Sequence, residues 1–433
     1  MSHKNSKGEQ KNIVVYVNRV RGGNVEGLRE WGKKEGIAIE ILRLVDSRAR
    51  VDTANDEVSD HLVACDFSKP NKIAEALLPF QNRLLAITCI GDANVMKLAQ
   101  VVPHVPYLRT PTVESIEWTS DKLKMRKRLK LFDPKHTPRF AQVKNNSAAE
   151  RKRVVEKVQF PMIIKPTNLS ASLLVSICYH EEELEKTLRT TFRKLKATYH
   201  KDKRIEEPKV IAEEYMEGDM YSLDAYVNSR GKIEFCPLVR VITGRNVGQQ
   251  DFYNYLRITP TDLKKTTVAR AEERVMTAIH ALGLKNTTIH AELMKVDDDW
   301  KIIEIAPRMG AFRHNLHMLS CDIDHAVNDV LTRIPKKVRI PKKCKGYAAT
   351  FRYYPEREGY ITEMKGVKRI QKLQSFESIS INKKIGDRAR FSKNGGKAVL
   401  SLDLFNASRS KLLADIRRVE EILKIKVDQK RPT

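Results

Sequence analysis

The first ninety residues alternate between short apolar runs and amphipathic stretches. The runs are long enough for buried strands, and the stretches between them have helical periodicity. Strands that alternate with helices form parallel sheets, so the sequence predicts a parallel α/β unit at the amino terminus. Its predicted segments are a strand at 13–18 (IVVYVN), a helix at 24–36, a strand at 37–45, a strand at 62–65, a helix near 71–80 and a strand at 84–90.

The pattern changes after residue 115. The sequence 120–132 predicts a basic helix with Ser120 as its cap, and 159–177 predicts two short strands joined by a loop of small residues. The later predicted segments are a helix at 181–196, a strand at 210–216, a helix at 265–282, a hairpin at 289–310, a connector at 335–345 and a closing helix near 409–424. We therefore expect an α+β region after the parallel unit.

The hairpin at 289–310 carries two acids in apolar surroundings. If its turn is centred on Asp298, opposite residues have numbers that sum to about 596, and Glu292 then faces Glu304. Directly opposed carboxylates repel one another, and a bound cation relieves that repulsion. Oxygen ligands of this kind suit Mg²⁺ that arrives with nucleotide phosphates. The pair therefore predicts a metal site, although an ordinary charged surface hairpin is the alternative.

The same register places His290 opposite Ala306, on the face of the two glutamates. Arg308 follows one step further along this face and can hold a phosphoryl group that is being transferred. The sequence therefore proposes Arg308 as a catalytic residue.

Composition restricts the class of protein. The chain has 433 residues, 41% of them apolar, which is typical of a folded protein with several packed units. Its 80 Lys and Arg against 54 Asp and Glu give a formal charge of +26, which attracts polyanions. No zinc-finger spacing or RNA-binding signature localises that attraction, so a nucleic-acid partner is disfavoured but not excluded.

Neither a signal segment nor a membrane span is predicted, because the apolar run that follows the polar first ten residues is short. The six cysteines are widely spaced and include no CxxC pair, so we expect no zinc site and no disulfide framework. These features favour a cytoplasmic protein with mostly buried thiols.

Taken together, the motifs resemble the ATP-grasp superfamily, in the branch of carboxylate-amine ligases, biotin carboxylases and carbamoyl phosphate synthases. The resemblance covers almost the whole chain. It implies an ATP-grasp fold, α/β locally and α+β overall, with an N-terminal Rossmann-like parallel-sheet domain at 1–115, the ATP-grasp domain at 116–340 and a small β-rich domain at 341–433.

The resemblance also assigns residues to the nucleotide. Lys122 in SDK and Lys165 in FPMIIKP resemble the two lysines that bind phosphate. In IAEEYMEGDMYS, Glu213 corresponds to the residue that binds the adenine amino group. The backbone from Glu214 to Met216 corresponds to the contact with the adenine edge, and the Met216 side chain to packing on the ring.

Three positions depart from the usual pattern. The loop 167–175 lies where the family has a glycine-rich flap, yet it contains no glycine, so Ser170 and Ser172 are the candidates to bind phosphate. Ala306 replaces an asparagine that bridges a second magnesium, which leaves one or two ions open. Met220 replaces the ribose-binding glutamate, and the sequence does not choose between Asp219 and Glu217 as substitutes.

The resemblance is nearest to L-amino-acid and dipeptide ligases, including carnosine-synthase-like enzymes. It implies an enzyme that uses ATP and Mg²⁺, for which Mn²⁺ can substitute, to activate a carboxylate as an acyl phosphate and join it to an amine, with amino acids or a peptide as substrates. A homodimer is compatible with it. The alternatives are a biotin-carboxylase-like enzyme and a non-catalytic polyanion-binding protein, while Arg313, His314 and Asn315 are candidates to touch substrate.

Overall fold

The structure is a computed structural model, and it describes residues 10–48, 58–170, 172–201, 207–249 and 251–432. It contains an amino-terminal lobe with a parallel sheet, a small lobe with an antiparallel sheet, and a long antiparallel sheet. The small lobe and the long sheet border one cavity. The predicted mixed fold class is confirmed.

The amino-terminal unit is a four-stranded parallel sheet in the order β3-β2-β1-β4. Every residue of β1 and β4 is buried, as their continuous apolar sequences predict. The elements are β1 (Ile13–Val17), α1 (Gly22–Lys34), β2 (Glu40–Asp46), β3 (His61–Cys65), α2 (Pro70–Leu77), β4 (Leu84–Cys89) and α3 (Val95–Val101). The expected parallel sheet is thus present, with the ends of α1 and α2 displaced by one to three residues from the predicted bounds.

Two helices connect this sheet to a small antiparallel lobe with the strand order β5-β8-β6-β7. The predicted hairpin of 159–177 is present as the pair β6 and β7, in which Met162 lies opposite Cys178. The elements are α4 (Val113–Ser120), α5 (Lys122–Phe132), β5 (Phe140–Val143), α6 (Ala148–Val158), β6 (Met162–Pro166), β7 (Ser176–Cys178), α7 (Glu181–Lys201) and β8 (Val210–Glu214).

The largest sheet has nine strands and runs in the order β14-β13-β9-β11-β12-β15-β19-β17, with β10 paired to β9. Its strands come from both sides of the connector at 335–345, so one sheet continues into the carboxy-terminal region. The elements up to the connector are β9 (Asp219–Val227), β10 (Ile233–Phe235), β11 (Val239–Thr243), β12 (Asn254–Thr259), α8 (Lys265–Ala281), β13 (Thr287–Val296), β14 (Asp299–Ala306), α9 (Arg313–Cys321) and α10 (His325–Arg333).

The carboxy-terminal region adds a three-stranded sheet, β18-β16-β20, beside the end of the nine-stranded one. Helix α12 packs its apolar face onto β15 and β19. The elements are β15 (Tyr347–Tyr353), β16 (Gly359–Lys365), α11 (Val367–Ile370), β17 (Phe376–Ile381), β18 (Arg388–Ala389), β19 (Leu400–Asn406), α12 (Arg409–Ile422) and β20 (Lys424–Asp428).

The structure corrects the predicted cap of the basic helix. Ser120 ends α4, and its hydroxyl donates to the carbonyl of Ile116. The cap of α5 is Asp121, whose carboxylate accepts from the backbone N–H groups of Leu123 and Lys124. A carboxylate is favoured at this position because it also faces the positive end of the helix dipole.

The cysteines also differ from expectation. Cys321 and Cys344 form a disulfide, although their spacing along the chain gave no sign of one. In addition, Cys236 lies close to His317 and His325, with one potential ligand atom of each residue within 4.8 Å of the others. The sequence suggested no zinc site because these three residues come from separate elements that only the fold brings together.

Among the described residues, no helix combines the length and apolar character needed to cross a bilayer.

Candidate active site

The hairpin of β13 and β14 places Glu292 directly opposite Glu304 and His290 opposite Ala306, as predicted. The turn itself is tighter than assumed, because Val296 pairs with Asp299. A bulge beside Glu292 then shifts the register by one residue. The bulge and the shorter turn compensate, so the two glutamates still face each other.

Two cations relieve the repulsion between these carboxylates. The Lys122 ammonium lies 3.2 Å from Glu304 Oε1 and also donates to the carbonyl of Leu169 at 3.0 Å. His290 Nε2 lies 3.7 Å from Glu292 Oε1. Burial alone would raise the pKa of Glu292, but the nearby His290 and arginine charges lower it to about 2. Glu292 is therefore a carboxylate at neutral pH, as a metal ligand must be.

A second buried ion-pair network lies on the opposite wall, in the small lobe. Lys165 Nζ is 2.7 Å from Glu213 Oε2. The Arg126 guanidinium donates to both oxygens of Glu213 at 2.9 and 3.0 Å, which is the bidentate geometry that best satisfies a buried carboxylate. Burial opposes ionisation of Glu213, yet these two cations hold its pKa at about 2.

Behind the hairpin, His290 is held by Asp224 of β9. Its Nδ1 lies 3.3 Å from both oxygens of Asp224, and Arg313 Nε lies 3.5 Å from the same carboxylate. Gly310 donates its N–H to Asp224 at 3.0 Å. A Cβ on Gly310 would come within 2.5 Å of His290 Nδ1, so this close approach requires glycine.

Arg308 extends from the end of the hairpin toward the amino-terminal sheet. Its Nε donates to Asp92 Oδ1 at 2.8 Å, and its Nη2 bonds to the same oxygen. Asp92 follows β4 directly, at the carboxyl edge of the parallel sheet. The amino-terminal unit therefore contributes a residue that orients the proposed catalytic arginine.

The glycine-free loop 167–175 approaches the large sheet. The Ser172 hydroxyl donates to the carbonyl of Phe252 at 3.2 Å. Ser172 and Leu174 both have a φ of 59°, in the left-handed region that glycine adopts more easily. The loop thus adopts glycine-like backbone conformations at two positions without glycine, and Ser170 lies exposed beside the cavity.

The segment after β8 was predicted to contact adenine. The N–H groups of Glu214 and Tyr215 donate to the carbonyls of Arg139 and Pro161. Backbone contacts to a base would therefore use the remaining groups of this segment. The side chain of Met216 is buried in the cavity wall.

The three residues considered for the ribose position differ in their surroundings. Met220 lines the cavity, whereas Asp219 points outward and accepts from Arg240 at 2.9 Å. Glu217 is exposed.

The ten residues assigned from the sequence to the nucleotide, the metal or catalysis line one cavity of about 340 Å³. It lies between the small lobe, the β13/β14 hairpin and the carboxy-terminal strands. The proposed residues in its wall are Lys122, Lys165, Ser170, Ser172, Glu213, Glu214, Met216, Glu292, Glu304 and Arg308.

The three residues considered for substrate contact separate in the structure. Arg313 lines the cavity, is 1% exposed and pairs with Asp224. His314 instead lies near Asp324, and Asn315 donates to Asp403 at 3.3 Å, so neither belongs to the cavity wall.

Sequence reasoning missed five charged residues that the structure places in or beside this site, namely Asp92, Arg126, Asp224, Arg257 and Arg352. Arg257 and Arg352 line the cavity from β12 and β15. A charged residue inside the apolar strand sequence NYLRIT is the one signal that could have identified Arg257, because such positions are seldom charged without a partner.

The donor set fits a divalent cation that prefers oxygen. Two opposed glutamates provide carboxylate oxygens, and their side chains are 24% and 26% exposed toward the cavity. Magnesium binds through one or two carboxylates together with phosphate oxygens and water. The residues present are therefore compatible with Mg²⁺ at this hairpin.

Comparisons with known proteins agree with this geometry. Residues 158–315 match the family described as ATP-grasp domain. A solved structure of an L-amino acid ligase from Bacillus licheniformis superposes with a TM-score of 0.81 at 15% identity, over 97% of this chain and 100% of that one. The chain thus shares the fold of that ligase structure, and residues 158–315 are similar to the ATP-grasp domain family.

The relatives found by sequence are ligases. The chain is 24% identical over 286 residues to the alanine–anticapsin ligase of Bacillus amyloliquefaciens, across 63% of this chain and 59% of the relative. It is 28% identical over 197 residues to the D-alanine–D-alanine ligase of Staphylococcus carnosus strain TM300, across 43% and 52%. The chain thus spans little more than half the length of these relatives. The predicted resemblance to the carboxylate-amine ligase branch is confirmed.

Proposed function

We propose that this protein is an ATP- and Mg²⁺-dependent ligase that joins a carboxylate to an amine through an acyl phosphate. The observation that carries the proposal is the opposed pair Glu292 and Glu304, which shares one cavity with Lys122, Lys165 and Arg308. Two carboxylates with three cations around them form a site for a metal and a polyphosphate.

In this proposal the small lobe binds the nucleotide. The Lys165 and Lys122 ammonium groups move from their carboxylate partners to phosphate oxygens, which are stronger acceptors of charge-assisted hydrogen bonds. The hydroxyls of Ser170 and Ser172 lie on the loop above these lysines. Glu213 and the segment from Glu214 to Met216 form the adenine side of the cavity.

Glu292 and Glu304 would hold Mg²⁺, which neutralises charge on the phosphates when it is bound. Lys122, which now contacts Glu304 at 3.2 Å, would then be free to bind phosphate oxygens. His290 stays on Asp224 and keeps Glu292 oriented.

The reaction proceeds in two steps. A substrate carboxylate oxygen attacks the γ-phosphorus, the bond to the β–γ bridging oxygen breaks, and ADP leaves. The amine nitrogen then attacks the acyl carbon, the bond to phosphate breaks, and the nitrogen loses a proton. Arg308 lies at the hairpin end, where its guanidinium can stabilise the transferred phosphoryl group.

The names of the relatives support amino acids as substrates. The two relatives found by sequence and the superposed solved structure are all named as ligases, and each name specifies an amino acid or amino acids as a substrate. We therefore propose that at least one substrate of this chain is an amino acid or a peptide.

Two other functions are compatible with parts of the sequence. A carboxylase would depend on bicarbonate, and a non-catalytic polyanion-binding protein would use the charge of +26 without turnover. The cavity favours ligation over simple polyanion binding, because the carboxylates of Glu213, Glu292 and Glu304 lie among its cations, which a simple basic patch would not have.

The test is phosphate release from ATP and Mg²⁺ by the purified protein, screened against the twenty L-amino acids singly and in pairs. We expect release that depends on a particular pair and, by mass spectrometry, a product lighter than the two substrates by one water. Release that requires bicarbonate would favour a carboxylase. Absence of ATP binding, together with salt-sensitive binding of RNA or DNA, would contradict the ligase proposal.

A further inference from the structure

Arg257 is a buried arginine without an acidic partner. It lies on β12, is 3% exposed and lines the cavity. Its Nε and Nη1 atoms are buried, and neither has a hydrogen-bond partner within the described parts of the chain. No carboxylate of those parts lies within 4.0 Å of its guanidinium. A buried charge of this kind is unfavourable unless a ligand compensates it.

A second arginine reinforces the positive charge. Arg257 lies opposite Thr350, and Arg352 follows two residues along β15, so both side chains leave the same face of the sheet. Arg352 donates to the Tyr354 hydroxyl at 2.9 Å, while its Nε is buried without a partner. No ion pair joins Arg352 to a described carboxylate within 4.0 Å.

Both guanidinium groups contact one aromatic ring. Their central carbons lie 5.2 Å (Arg257) and 4.8 Å (Arg352) from the centroid of Phe312. Phe312 has a φ of +66°, which is costly for a residue with a side chain and is typical of positions that support a ligand site. The ring holds two like charges near each other, and their mutual repulsion makes the site more attractive to an anion.

The other buried arginines of the cavity are compensated. Arg308 is paired with Asp92, and Arg313 with Asp224. By contrast, burial lowers the pKa of Arg257 well below its usual value, and the charges of Arg313 and Arg352 lower it further, which outweighs the raising effect of Glu292. The charge imbalance of the cavity is therefore concentrated at Arg257 and Arg352.

This pair lies on strands at some distance across the sheet from the β13/β14 hairpin. In the order β14-β13-β9-β11-β12, Arg257 lies three strands from Glu292, which is about 14 Å at about 4.8 Å per strand. The charge of Glu292 still acts on Arg257 across the shared cavity. Binding of an ATP analogue to an Arg257 variant therefore tests whether this pair is separate from the phosphate site.

We propose that Arg257 and Arg352 bind a carboxylate of the substrate that takes no part in the new bond. A guanidinium matches a carboxylate in bidentate geometry, and a buried site strengthens that match. The inference rests on the proposed ligase function and narrows it. At least one substrate must carry a further carboxylate, as an amino acid that supplies the amine does, or as a dicarboxylic acid does.

The experiment measures binding without turnover, by titration calorimetry in the presence of Mg²⁺ and a non-hydrolysable ATP analogue. The probes are the twenty L-amino acids and their primary amides, with Asn and Gln as the side-chain amides of Asp and Glu. The variants are Arg257→Met, which removes the charge, and Arg257→Lys, which keeps the charge without the bidentate fork. Arg270→Met, on the exposed face of α8, is the matched control for loss of one positive charge.

We expect at least one amino acid to bind the wild type about 30-fold or more tightly than one of its amides. Arg257→Met should abolish that difference, Arg257→Lys should retain part of it, and Arg270→Met should retain all of it. Amidation of the reacting carboxylate weakens binding equally in wild type and Arg257→Met, so the comparison identifies the non-reacting group. If binding weakens only when the α-carboxylate is amidated, the bound substrate is an amino acid that supplies the amine. If binding weakens when Asp or Glu is replaced by Asn or Gln, the bound substrate is a dicarboxylic acid.

The subsite is overturned if no probe prefers a free carboxylate over its amide in the wild type, or if Arg257→Met keeps the preference. It is also overturned if Arg257→Met weakens the ATP analogue itself, because Arg257 would then belong to the nucleotide site. The melting temperature of Arg257→Met should equal or exceed that of the wild type, and a fall would indicate a structural role. Phosphate release tests the ligase function independently, so either proposal can fail alone.

Discussion

The cavity has two ends that differ in how buried positive charge is compensated. At the paired end, around Lys165, buried cations contact buried carboxylates. At the unpaired end, around Arg257, they contact an aromatic ring. Arg126 is 0% exposed, and its guanidinium donates to both oxygens of Glu213 and to the carbonyls of Ile302 and Ile303. Arg257 is 3% exposed and has no such partner among the described residues. The two arginines are almost equally buried, but a carboxylate compensates the charge of Arg126 and none from the described residues contacts Arg257.

The difference indicates two modes of binding. Where charges are already paired, a ligand must replace existing partners, as ATP would replace Glu213 at Lys165 and Glu304 at Lys122. Where charges are unpaired, the protein carries the cost in its unliganded state, and the ligand relieves it. Ligand selectivity is then strongest at the unpaired end, because the wrong ligand leaves a buried charge unsatisfied.

The largest expected effect is on folding at the paired end. Arg126→Met should lower the free energy of unfolding by about 3–5 kcal/mol, because it leaves the carboxylate of Glu213 buried with Lys165 as its one remaining cation. Urea denaturation measures this value. Arg257→Met is the matched control and should leave the free energy unchanged or raise it. Equal destabilisation by both changes would abolish the distinction between the two ends.

Glu304→Gln tests whether the hairpin pair holds the metal. We expect kcat for ATP turnover to fall at least about 100-fold, since one of the two proposed ligand carboxylates is lost. Stability should change little, because a glutamine oxygen can still accept from Lys122. Glu117→Gln, an exposed glutamate paired with Lys124, serves as the control in phosphate-release assays. Full turnover in Glu304→Gln would remove the hairpin from the mechanism.

Lys165→Met should weaken ATP binding by about 1.5–3 kcal/mol, or about 10- to 150-fold in Kd. The ammonium would no longer be available to phosphate oxygens, while Glu213 would keep its bidentate contact with Arg126. Calorimetric titration with ATP and Mg²⁺ measures the change. The exposed Lys232→Met is the control. An unaltered Kd would mean that Lys165 serves only to balance Glu213.

Local sequence was enough to predict the hairpin site. The register of two strands joined by a short turn depends on few residues, so the pairing of Glu292 with Glu304 follows from the position of the turn. Even so, the sequence missed both the tighter turn and the bulge, and the correct register resulted because their effects cancel. The parallel sheet was also predictable from local sequence, because the hydrophobic periodicity of its strands and helices is strong.

The Arg257 end could not be predicted in this way. Arg257, Phe312 and Arg352 come from three elements that are far apart in the sequence, and only the nine-stranded sheet brings them together. The pairing of Arg308 with Asp92 spans 216 residues and depends on how the amino-terminal sheet docks. Charge compensation is a property of tertiary neighbours, so no motif indicates which arginine lacks a partner.

The smallest expected effect concerns His290, which is compensated within the cavity wall by Asp224. Burial alone would lower the pKa of His290, but the Asp224 carboxylate outweighs it, and the pKa is raised above its usual value. Protonated His290 therefore stabilises the fold fully below about pH 6.5, the ordinary histidine pKa, and this contribution is lost as the pH rises through the raised value. His290→Gln should consequently lower the free energy of unfolding more at pH 6 than at pH 9, as measured by urea denaturation.

The matched control for this pH comparison is the exposed His280→Gln on α8, which should show no such pH dependence. In the wild-type protein the pKa of Asp224 lies well below its usual value, because His290 and the neighbouring charges outweigh burial. An equal loss at both pH values would mean that His290 acts through packing alone. The paired end would then owe its stability to the contacts of Glu213, and the Asp224–His290 pair would serve to orient Glu292.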